Sequence, residues 1–72
     1  MRWVICIRNG GYKASLEIRK LYKALPETTA EARHFVRVID ESGEDYLYPK
    51  DFFLPVELSL PVRKALLRAS KG

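Results

Sequence analysis

Residues 2–8 (RWVICIR) carry apolar side chains in both alternating sets, Trp3, Ile5 and Ile7 in one and Val4 and Cys6 in the other. Their β-branched and aromatic make-up predicts a strand. Apolar residues on both faces predict a sandwiched strand, lying inside a closed barrel or under a helix. Asn9-Gly10-Gly11 follows, and Asn-Gly tolerates the positive φ angles at which a chain reverses. Residues 12–16 read as a weaker extended segment. Residues 18–25 (IRKLYKAL) are mixed, because Ile18, Leu21, Tyr22 and Leu25 also fit a helical spacing. Pro26 ends that segment abruptly between extended neighbours, so it is read as a strand. Residues 27–33 form a polar loop in which Thr28-Thr29-Ala30-Glu31 suits a capped single helical turn.

Residues 34–40 (HFVRVID) are a clear strand, 41–44 a turn built around Gly43, and 45–49 (DYLYP) the strand that pairs back. Residues 50–52 suggest one tight helical turn. Residues 53–58 return as a short strand that Pro55 assigns to an edge. Ser59 is placed to cap a helix over residues 60–69, with Pro61 in the first turn where a missing N–H is harmless. Val62, Ala65, Leu66 and Ala69 form one apolar stripe fit for docking, while Arg63, Lys64 and Arg68 face water. No crossover helix of adequate length precedes residue 60, which excludes a parallel βαβ architecture. The expected fold is therefore mainly β: one domain over residues 1–72, with a small, bent, antiparallel five-stranded barrel over about 2–58 and one C-terminal α-helix.

Seventy-two residues leave little core to spare, so a surface site is expected in preference to a deep catalytic pocket. The single cysteine, Cys6, excludes an internal disulfide and favours a reducing compartment. The apolar run at the N-terminus is too short for a signal peptide, and no stretch is long enough to span a membrane. A cytoplasmic protein is expected. The net charge of +4 is segregated. Residues 1–26 carry six cations against Glu17 alone, residues 27–57 carry eight acids, and residues 58–72 carry four cations and no acid. Either a basic face meets an acidic partner, or opposite charges from different segments meet in the fold and cancel; the second reading is preferred.

Candidate chemistry is sparse. Cys6 and His34 could suggest a nucleophile and its base, but Cys6 sits mid-strand among apolar residues, where cysteine acts as a small buried hydrophobe. Asp40, Glu41, Glu44 and Asp45 make an acidic turn whose spacing does not match a calcium loop; it reads as a solvated hairpin tip. One Cys and one His do not make a structural zinc site. Neither a metal nor a cofactor is expected. Arg19, Lys20 and Lys23, with Arg2, Arg8 and Lys13, are the candidates for phosphate contacts. Tyr46, Tyr48, Phe52 and Phe53 concentrate aromatics around one hairpin and turn. Some must fill the core, and those left outside would suit a protein partner.

Over residues 16–58, the stretches LEIRKLYKALP, FVRVIDESGEDYLYP and DFFLPVEL resemble Src-homology-3-like small β-barrels, particularly short bacterial single-domain proteins of that shape. Lys20, Tyr22 and Leu25 match the strand after the long first loop of such barrels. Val38, Asp40 and Gly43 match the following hairpin, and residues 50–52 the helical turn before the last strand. The resemblance implies an architecture and no catalytic signature. The peptide-binding branch of that fold carries an Ala-Leu-Tyr-Asp-Tyr segment and a tryptophan after its second strand. This chain has neither, its one tryptophan being Trp3, so binding of proline-rich ligands is not implied. The function expected is a non-enzymatic binding or accessory module with a protein partner; the alternative is a nucleic-acid-binding domain using the basic N-terminal half.

Overall fold

The structure, a computed structural model, describes residues 2–69; Lys71, one of the four C-terminal cations, lies outside them. Five strands, β1 (Arg2–Cys6), β2 (Leu21–Leu25), β3 (Phe35–Ile39), β4 (Asp45–Pro49) and β5 (Phe53–Val56), form one antiparallel sheet in the order β4-β3-β2-β1-β5. A short helix α1 (Thr28–Ala32) joins β2 to β3, a 3-10 turn (Lys50–Phe52) joins β4 to β5, and helix α2 (Leu60–Ala69) follows. The architecture is mainly β, with five antiparallel strands and one C-terminal helix, as the pattern of apolar residues predicts.

The sheet is bent and open. Four spacings of about 4.8 Å would separate β4 and β5 by about 19 Å in a flat sheet, yet the rings of Tyr48 and Phe53 lie 6.3 Å apart. Curling brings the two edge strands together around a core of Val4, Cys6, Leu16, Tyr22, Ala24, Val36, Val38, Tyr48 and Phe53. Among the described residues no ladder joins β4 to β5, so the sheet stays open and its two edge strands approach only through side chains such as Tyr48 and Phe53.

The opposite, outer face carries Trp3, Ile5, Leu21, Lys23 and Ile39, placed there by the pairs Trp3–Lys23, Ile5–Leu21 and Lys23–Ile39. Trp3 is nonetheless only 8% exposed, and Leu66 and Ala69 line the hollow beside it. The outer face of β1 is approached by the end of α2, where Leu66 and Ala69 border the same hollow as Trp3. Ser59 stands at the helix N-cap, its carbonyl accepting the Arg63 N–H (3.0 Å). The docking stripe differs from the one predicted. Val62 and Ala65 are exposed, no residue of α2 is buried, and only Leu66 and Leu67 are half-buried. The helix meets the sheet through its C-terminal half alone. Leu66→Ala is therefore expected to cost about 1 kcal/mol, well below a core truncation, and to red-shift Trp3 fluorescence; urea titration followed at that wavelength reads both.

Two other segments depart from expectation. Residues 12–16 form turns in place of an extended run, with Leu16 wholly buried. The reversal at Asn9-Gly10-Gly11 opens a long β1–β2 loop that ends only at Lys20, so β2 begins at Leu21 and not near Ile18. Arg19, expected within the strand, takes a left-handed φ of 75° and donates its N–H to the Cys6 carbonyl (2.7 Å). Helix α1 covers the predicted helical turn, but no side chain caps it. The Glu27 carboxylate at its start instead accepts from Arg37 (2.8 Å). No helix among the described residues is long and apolar enough to cross a membrane.

Candidate functional site

The β1–β2 loop holds its shape through short-range hydrogen bonds. The Asn9 side chain accepts from the Gly11 N–H and donates to the Leu16 carbonyl, both at 3.2 Å. The N–H groups of Ser15 and Leu16 return to the Tyr12 carbonyl (3.0 and 2.8 Å). Gly10 sits at φ +56°, and a Cβ there would meet the Phe52 ring at 2.5 Å, so only glycine fits. Leu16 anchors this loop in the core, and the Glu41 N–H donates to the Ser15 carbonyl (2.9 Å), tying the loop to the β3–β4 hairpin.

Between loop and hairpin lies an open cleft of about 360 Å³. Its walls are Tyr12 and Ser15 on the loop side and Tyr46 and Leu47 on β4; Asp40, Ser42 and Tyr48 form the floor. The walls are exposed: Tyr12 by 54%, Tyr46 by 48% and Leu47 by 45%. The floor is fixed. Tyr48 packs edge-on against Tyr12, ring centroids 5.6 Å apart, and its hydroxyl donates to Asp40 Oδ2 (2.7 Å). Asp40, only 6% exposed, also accepts from the Ser42 N–H (2.9 Å) and the Ser42 hydroxyl. Burial alone would raise the Asp40 pKa, but these three donors outweigh it and hold the carboxyl below its ordinary range. The Tyr48 hydroxyl is pushed up to about 12 by burial and by its bond to Asp40. The cleft therefore has a negative floor and aromatic walls.

A second tyrosine–carboxylate pair lies beside the first. The Tyr22 hydroxyl donates to Glu41 and accepts from the Glu17 N–H (2.7 Å). Glu41 also pairs with Lys20 at 2.8 Å, and the bonds from Lys20 and Tyr22 hold its carboxyl down. Burial and the bond to Glu41 push the Tyr22 hydroxyl well above its usual value. Two consecutive acids thus clamp two core tyrosines. The reading of the acidic turn as a solvated tip is corrected at Asp40, which is buried because Tyr48 and Ser42 supply the hydrogen bonds that water would have made.

The four predicted aromatics part company. Tyr46 forms a wall of the cleft. Tyr48 forms its floor and, like Phe53, belongs to the core, so neither offers an exposed ring; Phe52 is half-buried against the core. Curling of the sheet supplies the reason, since it turns the inner face of β4 and the start of β5 towards each other. The sequence pattern does not single out Tyr12, Ser15, Asp40 and Leu47 as binding residues. For Asp40 the Asp-x-Ser spacing of residues 40–42 is a usable signal, since it suits a side chain accepting from a backbone N–H two residues on. Of the basic candidates, Lys20 and Lys23 line a hollow of about 600 Å³ on the outer face with Trp3, Leu21 and Leu66, while Arg19 lies outside it. Basic N-terminal residues meet acids of the middle segment: Arg2 pairs with Glu31 (3.4 Å), Arg8 with Asp51 (3.5 Å) and Lys20 with Glu41.

Cys6 is wholly buried on the inner face, its thiol donating to the Arg8 carbonyl (3.1 Å), and burial pushes its pKa up. His34 stands exposed before β3 in a left-handed turn, φ 65°. A maleimide reagent is expected to label Cys6 only slowly until denaturant is added; rapid stoichiometric labelling of the native chain would contradict this. The chain matches no known family model, no curated protein and no solved structure.

Proposed function

We propose that this chain is a non-enzymatic, Src-homology-3-like binding module that holds a segment of a protein partner in the Tyr12–Tyr46–Leu47 cleft. The observation that carries the reading is the pair of exposed tyrosine rings, Tyr12 and Tyr46, on either side of a floor already locked by hydrogen bonds. Aromatic groups placed in advance bind with little loss of conformational entropy. The ionised Asp40 beneath them favours a segment that brings a cation or hydrogen-bond donors. The strand order, the long first loop and the 3-10 turn before β5 support the Src-homology-3-like reading. The alternative, nucleic acid, is less favoured because three cations of the basic segment already face acids, which offsets the local field.

Affinity capture from host lysate with three immobilised forms tests the proposal: the native chain, Tyr12→Ala/Tyr46→Ala and Lys20→Ala/Lys23→Ala. A protein retained by the native chain and the lysine variant, and lost at least tenfold by the tyrosine variant, is expected. Retention of nucleic acid that falls steeply with salt and depends on Lys20 and Lys23 would overturn it.

A further inference from the structure

Strand β4 is an edge strand, and the backbone groups it leaves free follow from bonds at either end of its ladder with β3. The Lys50 N–H donates to the His34 carbonyl (2.9 Å) and the Asp40 N–H to the Glu44 carbonyl (3.1 Å). Hydrogen-bonded and non-bonded pairs alternate along an antiparallel ladder. Between those brackets, then, Val36–Tyr48 and Val38–Tyr46 are the bonded pairs in the observed register. Asp45, Leu47 and Pro49 turn their backbone groups away from β3, towards the open edge. The residues at this edge, Asp45, Tyr46 and Leu47, are all exposed. Among the described residues nothing covers the centre of the edge, and its two protective features, Asp45 and Pro49, stand only at the ends.

We propose that two copies of this chain pair through β4, antiparallel about a two-fold axis at Tyr46, to make one continuous ten-stranded sheet. The sequence of the strand selects both partner and register. Centred on Tyr46, Asp45 of each copy faces Leu47 of the other, and every free N–H and C=O of these two residues finds a partner. Shifting by two residues one way sets the Pro49 ring, which has no N–H, against the Asp45 carbonyl of the other copy. Shifting the other way places the two Asp45 carboxylates face to face, which is destabilising. In the favoured register each Asp45 enters the interface already held by Arg37 (2.9 Å). In the two-fold register the same two residues of each copy meet each other's free N–H and C=O groups, so the short stretch is fully paired by a second copy of itself. The pairing goes beyond the cleft reading: the two Tyr46 rings meet on one face, and the clefts of both copies open on that same side of the joined sheet.

Sedimentation equilibrium of the full chain from about 10 μM to 1 mM tests the pairing. The weight-average mass is expected to rise towards twice 8.3 kDa. Leu47→Pro removes only an outward N–H, and it follows a residue already extended, so it is expected to stay folded and hold the mass at one copy throughout. Mixed isotope labelling is expected to show an intermolecular Hα–Hα contact between the two Tyr46 residues. Should Leu47→Pro fail to fold, hydrogen exchange of the native chain replaces it: the Leu47 amide is expected to lose protection at least tenfold on dilution. A single-copy mass at 1 mM, a dimer untouched by Leu47→Pro, or a Leu47 amide protected only when another protein is added overturns the pairing. Tyr46 and Leu47 belong to both surfaces, so the two readings are separated at Tyr12, which lies off β4: Tyr12→Ala is expected to weaken capture by the cleft and to leave the rise in mass unchanged.

Discussion

Leu16→Ala is expected to destabilise the fold by about 2–5 kcal/mol, the range of a strand residue in the core, although Leu16 belongs to a loop. The side chain is wholly buried with Val4, Cys6 and Tyr22 in the same cluster. The surrounding backbone has little freedom to collapse into the space. Its own carbonyl accepts from Asn9, its N–H reaches Tyr12, and the neighbouring Ser15 carbonyl accepts from Glu41. Urea unfolding followed by circular dichroism measures the loss. A change below about 0.5 kcal/mol would show that the loop is an appendage to the sheet. Because Ser15 and Tyr12 wall the cleft, the same variant is also expected to weaken whatever the cleft holds.

Asp40→Ala is the other substitution of large effect, expected to cost about 2–4 kcal/mol. It removes the acceptor shared by Tyr48 and Ser42, leaving a buried tyrosine hydroxyl without its acceptor and losing charge-assisted bonds. Tyr48→Phe removes one of those bonds and keeps the ring, so it is expected to cost less. The two substitutions share a partner, and a double-mutant cycle is expected to show them non-additive. The pH dependence follows from the sign of the shift. Asp40 and Glu41 are both held below their ordinary values in the folded chain. Their contribution is present in full above the unfolded carboxylate range of about 3.9–4.3 and is lost as pH falls through the lower folded values. Stability of the native chain is therefore expected to fall in acid below about pH 4. In Asp40→Ala that fall is expected to be shallower, as parallel thermal melts across pH 2–7 would show.

Much of the sheet was legible because its signals are local. The two-faced apolar run of Trp3–Ile7 announced a strand shielded on both faces; this holds for Trp3, beside which Leu66 and Ala69 stand, while Ile7 lies past the strand end and is exposed. Gly43 and Pro55 marked a turn and an edge strand by their backbone limits. What stayed hidden depends on residues far apart in sequence. An extended pattern at residues 12–16 does not distinguish a strand from a loop whose one leucine is pulled into the core. Aromatics of similar character at 46, 48, 52 and 53 divide between surface and interior according to how the sheet curls, which no short window contains. Asp40 looked like any acid in a turn, since the tyrosine that accounts for its burial is eight residues away.

The position of β1 has a consequence for synthesis. This strand is made before the other four, yet it lies inside the sheet, paired with β2 on one side and β5 on the other. Its second neighbour exists only once Val56, the partner of Trp3, has been made. Until then the backbone edge that β5 will cover stays open, and Trp3 lacks the helix that shields it. Non-local pairing of this kind slows folding, because a long loop must close before the contact repays it. The growing chain therefore carries an unfinished strand edge beside Trp3 until β5 has been made, and the sheet is completed in a late step that joins its first strand to its last.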